Sequence, residues 1–173
     1  HKITHFNRGH ASQVEGVKEH EAKPLLRGLA EKFSNPQTVL KEVFAWTNGQ
    51  PFLTQKLCQL IRTAASPIPP NGEALWIEDL VQKKIIDNWE SQDEPEHLRT
   101  IRDRLLNSHS SQLLLRLYER ILREKEVISE DSPPEKELLL SGLVIKDRGR
   151  LQVHNPIYQG IFNLDWLARA KLT

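Results

Sequence analysis

The residues most able to do chemistry in this sequence are its histidines, but their spacing does not assemble a site. The chain has seven histidines, and His1 and His5 have the i, i+4 spacing that would put two side chains on one helical face. No cysteine or carboxylate lies beside them, and the segment lacks a helical pattern, whereas zinc needs three or four such ligands. The sequence therefore predicts no metal site.

Motifs for other chemistry are also missing from the sequence. It contains no G-x-x-x-x-G-K-[ST] phosphate loop, no G-x-G-x-x-G and no G-x-S-x-G. Its acids lie in stretches of mixed charge rather than as a catalytic pair. Cys58 is the single cysteine, on the apolar side of a predicted helix, which favours a buried inert thiol and a reducing compartment, the cytoplasm. We therefore do not expect the chain by itself to be an enzyme.

The composition is that of a folded domain without strong electrostatic bias. Apolar residues make up 38% and charged residues 27% of the 173 residues, and the net charge is +1. We expect no membrane segment, because no apolar run approaches the roughly 20 residues that cross a bilayer. We also do not expect nucleic acid as a partner. The sequence has no methionine, which predicts a piece of a longer protein.

Apolar periodicity predicts a mainly α protein that begins with a helical bundle. After an extended lead over residues 1–9, three short helices are expected before residue 65. The second has Pro36 at its first position and ends at Asn48-Gly49, a pair able to take positive φ, and Pro51 occupies the first position of the third. A fourth helix, with an apolar face from Ile77 to Trp89, would complete the bundle.

The last third of the chain adds a β-hairpin to the helices. A break at Ser91–Pro95 marks the predicted domain boundary, with the bundle over residues 1–92 and a second domain over residues 93–173. In the second domain, helices are followed by a short helix opened at Pro133 and by strands over residues 143–146 and 150–154. A last helix is predicted over residues 155–172. This order is that of a winged helix.

A winged helix raises the possibility of DNA binding. The short helix that would enter the major groove carries Glu135, Lys136 and Glu137, and phosphates would repel its two carboxylates. Arg148 and Arg150 of the wing are the favourable pair for phosphate. The residues favour a structural or regulatory wing, with DNA reading as the weaker alternative.

Several runs of the sequence resemble one protein family. Trp46–Cys58, Ile86–Arg102, Ser141–Val144 and Val153–Gln159 are similar to AAA-like, STAND-type P-loop ATPases abundant in cyanobacteria. The resemblance covers nearly the whole chain after Ile3. It implies the helical lid and winged-helix region of such an ATPase, without the P-loop domain.

The resemblance also implies where a nucleotide would be contacted. A Gly-x-Pro corner of the lid packs on adenine in STAND proteins, and Gly49, Gln50 and Pro51 occupy that place here. A histidine after the last wing strand contacts the β-phosphate of ADP in related proteins, which would make His154 a phosphate sensor beside the helix N–H groups that follow Asn155. Asn155 stands where the family usually has an aspartate. The residues alone also allow a plain helical corner and a plain strand-end histidine.

The resulting hypothesis is a non-catalytic regulatory fragment of a STAND or AAA-like signalling ATPase. It would close over nucleotide and relay the nucleotide state to an effector, which requires unequal binding to closed and open arrangements. ATP, ADP and Mg²⁺ would belong to the full-length parent, whose own P-loop domain and effector or sensor domains would be the partners. The alternative is a winged-helix adaptor that binds protein or DNA.

Overall fold

Helices dominate the described residues, 23–30 and 33–172 of the computed structural model. These residues divide into two units: one extends to Asn88 and includes Asn155–Ile157, and the other comprises Trp89–His154 and the residues from Tyr158 on. Each unit is described by itself. The extended lead, the His1 and His5 pair and the start of the first predicted helix lie outside the described residues.

Four helices and a π-helical turn form the described part of the first unit. Their bounds are α1 Lys23–Ala30, α2 Pro36–Thr47, α3 Pro51–Thr63, α4 Glu73–Val81 and the π-helical turn Gln82–Ile86. The predicted helix starts at Pro36 and Pro51 are confirmed, because proline at the first position gives up no hydrogen bond and already has helical φ. The core of this unit is mainly aliphatic and includes Leu29, Val39, Val43, Leu53, Leu57, Ile61, Ile77 and Val81.

The fourth helix does not continue to Trp89 as its apolar spacing predicted. The α-helical pattern gives way at Gln82 to the π-helical turn, and the N–H of Asp87 donates to the carbonyl of Gln82 at 2.8 Å. Asn88 then has a φ of 51°, which ends the turn before Trp89. A π-turn takes one residue more than an α-turn, so apolar residues on either side of it can keep a helical spacing without sharing one helix.

The second unit combines helices with a small sheet. From Trp89 on, the elements are α5 Trp89–Gln92, α6 Leu98–Leu106, α7 Ser111–Arg123, β1 Val127–Ile128, α8 Pro133–Ser141, β2 Val144–Asp147, β3 Arg150–Val153, α9 Pro156–Ile161 and α10 Leu164–Lys171. The first two residues of α9 are grouped with the first unit. The predicted short helix and hairpin are confirmed. The predicted last helix is two helices, because the Asn163 side chain accepts the N–H of Trp166 at 2.9 Å and starts α10 anew.

The sheet is antiparallel, with the strand order β1-β3-β2. Val144 lies opposite Val153, and Asp147 lies opposite Arg150. The two residues between β2 and β3, Arg148 and Gly149, have φ values of 52° and 77°. Two positive φ values in a two-residue loop define the type I′ turn, whose twist suits a hairpin.

The described fold is thus mainly helical with one small antiparallel sheet, which confirms the predicted fold class at that level. Aromatic side chains form much of the second core, where the Tyr118 hydroxyl donates to the Phe162 carbonyl at 2.5 Å. Among the described residues, no helix combines the length and the apolar character that crossing a bilayer requires.

Candidate functional site

The corner predicted at Asn48–Pro51 is present in the first unit. α2 ends with Asn48 at a φ of 50° and Gly49 at a φ of 76°. The Gln50 side chain caps α3 by accepting the N–H of Leu53 at 2.7 Å. Pro51 follows at the first helical position and is exposed. The positive φ values, the cap and the proline each serve the tight turn between the two helices.

Two buried threonines hold this corner from the inside. The hydroxyls of Thr47 and Thr54 hydrogen-bond at 2.9 Å, and the N–H of Gly49 donates to Thr47 Oγ1 at 3.3 Å. Both threonines are fully buried. The structure therefore supplies a local reason for the residue types at the corner. Nothing observed tests the adenine contact of Gly49, Gln50 and Pro51, which stays a prediction.

His154 directly follows β3, where it was predicted, and it is buried in the second unit with 8% of its surface exposed. Its backbone N–H donates to the Leu143 carbonyl at 2.9 Å, and the centroid of its ring lies 5.9 Å from that of the Tyr158 ring. Burial, with a smaller contribution from nearby His97, lowers the pKa of His154 from 6.5 to about 4. The imidazole is therefore neutral at pH 7.

A neutral, buried imidazole offers phosphate no positive charge. The helix after His154 is also a poor anion site, since α9 has six residues and begins at Pro156, which has no N–H. These observations favour a packing role for His154, although the phosphate contact itself is not tested. His154 belongs to the second unit and the Gly49–Pro51 corner to the first.

A second group of buried polar residues fixes the start of α6. The Asp93 carboxylate accepts the backbone N–H groups of His97, Leu98 and Arg99 at 3.0, 2.9 and 2.9 Å. His97 Nε2 lies 2.6 Å from the Tyr158 hydroxyl. Burial and the nearby charge of Asp93 raise the pKa of Tyr158 well above its ordinary value of 10.0. The Asp93 carboxylate thus satisfies backbone N–H groups that the first turn of α6 leaves unpaired.

Glu135 organises the loop before α8 in the same way. Its carboxylate accepts the Ser129 hydroxyl at 2.7 Å and the N–H groups of Glu130 and Asp131 at 2.7 and 2.9 Å. Burial acts to raise the pKa of Glu135, but these hydrogen bonds outweigh it and lower the pKa below 4.5. Of the two acids predicted to face phosphate, Glu135 is therefore turned inward and Glu137 is exposed.

Two basic side chains of the hairpin have acidic partners within the second unit. Arg150 forms an ion pair with Glu126, and Lys146 Nζ lies 3.1 Å from Asp131. The charges that would meet phosphate are therefore partly neutralised.

The single thiol is buried, and the described residues contain no cluster of metal-ligating side chains. Cys58 is buried as predicted, and burial, opposed by Arg62, raises the pKa of its thiol to about 11. Among the described residues, no three His, Cys, Asp or Glu side chains form a group that could hold a metal ion.

A groove of about 570 Å³ lies between α6 and α8 in the second unit. Leu105 and Leu114, which are 1% and 2% exposed, form part of its lining, and Leu140 is 77% exposed at its edge. Sequence reasoning missed this groove. The available signal was the run Leu138–Leu140, because one buried helical face does not take up three successive side chains.

The chain is 43% identical over 171 residues to a protein of Synechocystis sp. described as an uncharacterized WD repeat-containing protein. The match covers 96% of this chain and 14% of that protein. No protein-family model matches the chain, and no solved structure matches it.

The comparisons correct the family assignment made from the sequence. The matching relative is described by its WD repeats, and no AAA-like or STAND family model matches. The assignment to those ATPases is wrong, and so is the function derived from it, a lid and winged-helix fragment that regulates a signalling ATPase. The quoted runs include the turn after α2 and the end of α8, where Gly49 and Gly142 take positive φ. Such signals are shared by many helical folds, so they did not discriminate among families. ATP, ADP and Mg²⁺ stay untested predictions.

Proposed function

We propose that this chain is a non-enzymatic protein-interaction module with a winged-helix second unit, which works beside WD repeats in a larger protein. The observation that carries the proposal is Leu140, an exposed leucine on α8, the helix that a winged helix presents to its partner. Leu140 lines a groove together with buried Leu105 and Leu114, and a contiguous apolar surface that is partly exposed is typical of protein-binding sites.

The order of elements supports a winged helix. The helices α6, α7 and α8 are followed by the hairpin of β2 and β3. The short strand β1 joins the hairpin at β3, and α8 packs against both α7 and β2.

The charges of the second unit favour a protein partner over nucleic acid. Nucleic-acid binding rests on lysine and arginine side chains free to meet phosphates. Here Arg150 and Lys146 already have carboxylate partners, and the exposed part of α8 carries one base, Lys136, and one acid, Glu137, and thus no net positive charge.

The positions of the perturbed titratable groups support a non-enzymatic role. A general acid or base must reach its substrate. The groups with the largest pKa shifts are Cys58, Tyr118, His154 and Tyr158, and all four are buried. None of them lines the groove between α6 and α8.

The similarity to a WD repeat-containing protein supports the larger context. WD repeats form four-stranded propeller blades, whereas the described residues of this chain form one three-stranded sheet. The chain would therefore be a helical module next to the blades and not one of them. We place it in the cytoplasm, a reducing compartment, on the ground of its single cysteine.

The test is binding between this chain and the WD-repeat portion of the Synechocystis protein, with the two expressed separately. Isothermal titration calorimetry is expected to show saturable one-to-one binding, with the matching segment of the Synechocystis protein as the reference. The proposal would be overturned if neither this chain nor the matching Synechocystis segment gave a heat of binding with the WD-repeat portion or co-sedimented with it.

A further inference from the structure

We propose that the groove between α6 and α8 binds a basic amphipathic helix of a partner protein, with an apolar side chain against Leu140 and a lysine or arginine against Glu137. This inference rests on the proposed interaction function and assigns its surface and the chemistry of its partner.

The apolar part of the groove has both a floor and a rim. Buried Leu105 and Leu114 line it from α6 and α7, and exposed Leu140 lines it from α8. The volume, about 570 Å³, lies in the range of pockets that take up groups larger than one side chain. An apolar side chain placed here would remove both itself and Leu140 from water.

The charges of the groove select a basic partner. Three charged side chains line it: Asp103, Arg104 and Glu137. Asp103 accepts Arg102 Nε at 2.9 Å. Arg104 Nη1 donates to the Leu140 carbonyl at 3.0 Å, at the end of α8 where the helix dipole favours a cation.

Glu137 is the lining carboxylate that has no cationic partner among the described residues. Both of its oxygens lie 3.2 Å from the Ser108 hydroxyl, which is neutral. A lysine or arginine of a partner supplies the missing charge, whereas an acidic partner would meet repulsion from Glu137.

The spacing on α8 indicates a helical partner. Glu137 and Leu140 are three residues apart and therefore lie on one face of the helix. A partner helix with an apolar residue and a base three or four positions apart matches this pair, as in other helix-in-groove complexes.

The wall of the groove is held in place within the second unit. The Ser141 hydroxyl donates to the Leu138 carbonyl at 2.6 Å and accepts the N–H of Leu143 at 3.2 Å. Gly142, at a φ of 84°, then ends α8. A wall ordered before binding loses little conformational entropy when the partner arrives.

The experiment is selection of short random helical peptides on phage against the immobilised full chain, followed by fluorescence anisotropy with the selected peptides. We expect the selected sequences to carry lysine or arginine three or four residues from a large apolar residue. In ¹⁵N-labelled protein, the amide shifts caused by these peptides are expected at α6, α8 and the turn around Ser108.

Matched variants connect binding to the groove. Leu140→Ala is expected to weaken binding about tenfold, and Glu137→Gln is expected to weaken it a few-fold and to remove much of its salt dependence. The controls Leu75→Ala, at an exposed leucine of the first unit, and Glu130→Gln, at an exposed acid of the second, are expected to bind like the unaltered chain.

The outcomes separate the groove from the general function. Acidic selected peptides, shifts that map elsewhere, equal binding by Leu140→Ala, or no selected peptide would each overturn the groove assignment. Binding of the WD-repeat portion by the Leu140→Ala variant with full affinity would leave the interaction function standing while removing this surface from it.

Discussion

At the residue scale, the second unit keeps a histidine uncharged in its interior. His154 is buried beside Tyr158, and the pKa of its imidazole is lowered from 6.5 to about 4. Its position at the end of a strand was readable from the sequence. Its burial was not predictable from the sequence. Tyr158 and His97 lie near His154 because separate elements pack together, and sequence patterns do not show which elements pack together.

His154 is predicted to make the second unit less stable in acid. Because the folded-state pKa of about 4 lies below the unfolded value of 6.5, the unfolded chain takes up the proton first as the pH falls. The contribution of His154 to the free energy of unfolding is fully present above pH 6.5, decreases as the pH falls towards 4 and levels off below pH 4. The loss amounts to roughly 3 kcal/mol.

Two measurements check this pH dependence. An NMR titration of the His154 ring should give a pKa near 4. Urea unfolding from neutral to acidic pH should show a smaller loss for His154→Gln than for the unaltered chain, and His109→Gln, at an exposed histidine, should leave the loss unchanged. An equal loss in His154→Gln and the unaltered chain would rule out the explanation.

Glu135→Gln is predicted to destabilise the loop before α8. The carboxylate accepts three hydrogen bonds, and an amide places N–H groups where acceptors are needed. We expect a loss of about 1–3 kcal/mol in the free energy of unfolding at pH 7. The pKa of Glu135 is lowered, so its stabilising effect is present above pH 4.5, its ordinary value, and is lost as the pH falls below that.

Glu137→Gln on the same helix is the matched control for Glu135, since Glu137 is exposed and receives only a hydroxyl. Thermal unfolding of the two variants should differ, with Glu137→Gln within about 0.5 kcal/mol of the unaltered chain. Equal melting temperatures for the two variants would show that the buried hydrogen bonds do not stabilise the loop.

At the element scale, local sequence signals predicted the helix ends and the hairpin, whereas the strand β1 and the π-helical turn were missed. Pro36 and Pro51 start helices and Gly49 ends one because these backbone preferences act within a few residues. The strand β1 has two residues, too few for an alternating pattern, and forms only because β3 supplies its hydrogen bonds. The π-helical turn before Asp87 likewise could not be predicted, because the apolar residues on either side of it keep a helical spacing.

The Thr47 hydroxyl is predicted to stabilise the corner between α2 and α3. It contacts the Thr54 hydroxyl and accepts the N–H of Gly49, and both contacts are buried. Thr47→Val keeps the shape but leaves those groups unsatisfied, with an expected loss of about 1–3 kcal/mol. Thr47→Ser keeps the hydroxyl and should lose less in urea unfolding. A Thr47→Val variant as stable as the unaltered chain would contradict this role.

The hairpin turn depends on the backbone freedom of Gly149. Its φ is 77°, and a Cβ added there would meet nothing within 4 Å. The loss for Gly149→Ala therefore comes from the left-handed backbone and is expected to be about 1–2 kcal/mol. Gly149→Asn should lose less, because asparagine tolerates this region better. Thermal unfolding compares the two, and equal losses would point to a cause other than backbone strain.

At the scale of the whole molecule, charge is the property that the sequence predicted most directly. The net charge of +1 is a count, but the pairing of Arg150 with Glu126 and of Lys146 with Asp131 appears only in the fold. For the groove, the sequence offered only the run Leu138–Leu140, which signals an exposed leucine but not the residues opposite it. The walls of the groove, near Arg104 and Leu140, are distant in sequence, and only tertiary packing brings α6 and α8 together.

The same charge distribution predicts weak binding to duplex DNA. Binding driven by phosphate contacts needs several cations free of acidic partners, and its affinity falls steeply with salt. We expect fluorescence anisotropy with a labelled duplex at about 0.15 M salt to give a dissociation constant weaker than roughly 10⁻⁴ M. The combined substitution Arg148→Ala and Arg150→Ala should leave this weak binding unchanged. Tight binding that those substitutions abolish would show that Arg150 leaves Glu126 to bind phosphate. The second unit would then be a DNA-binding module and not a protein-binding one.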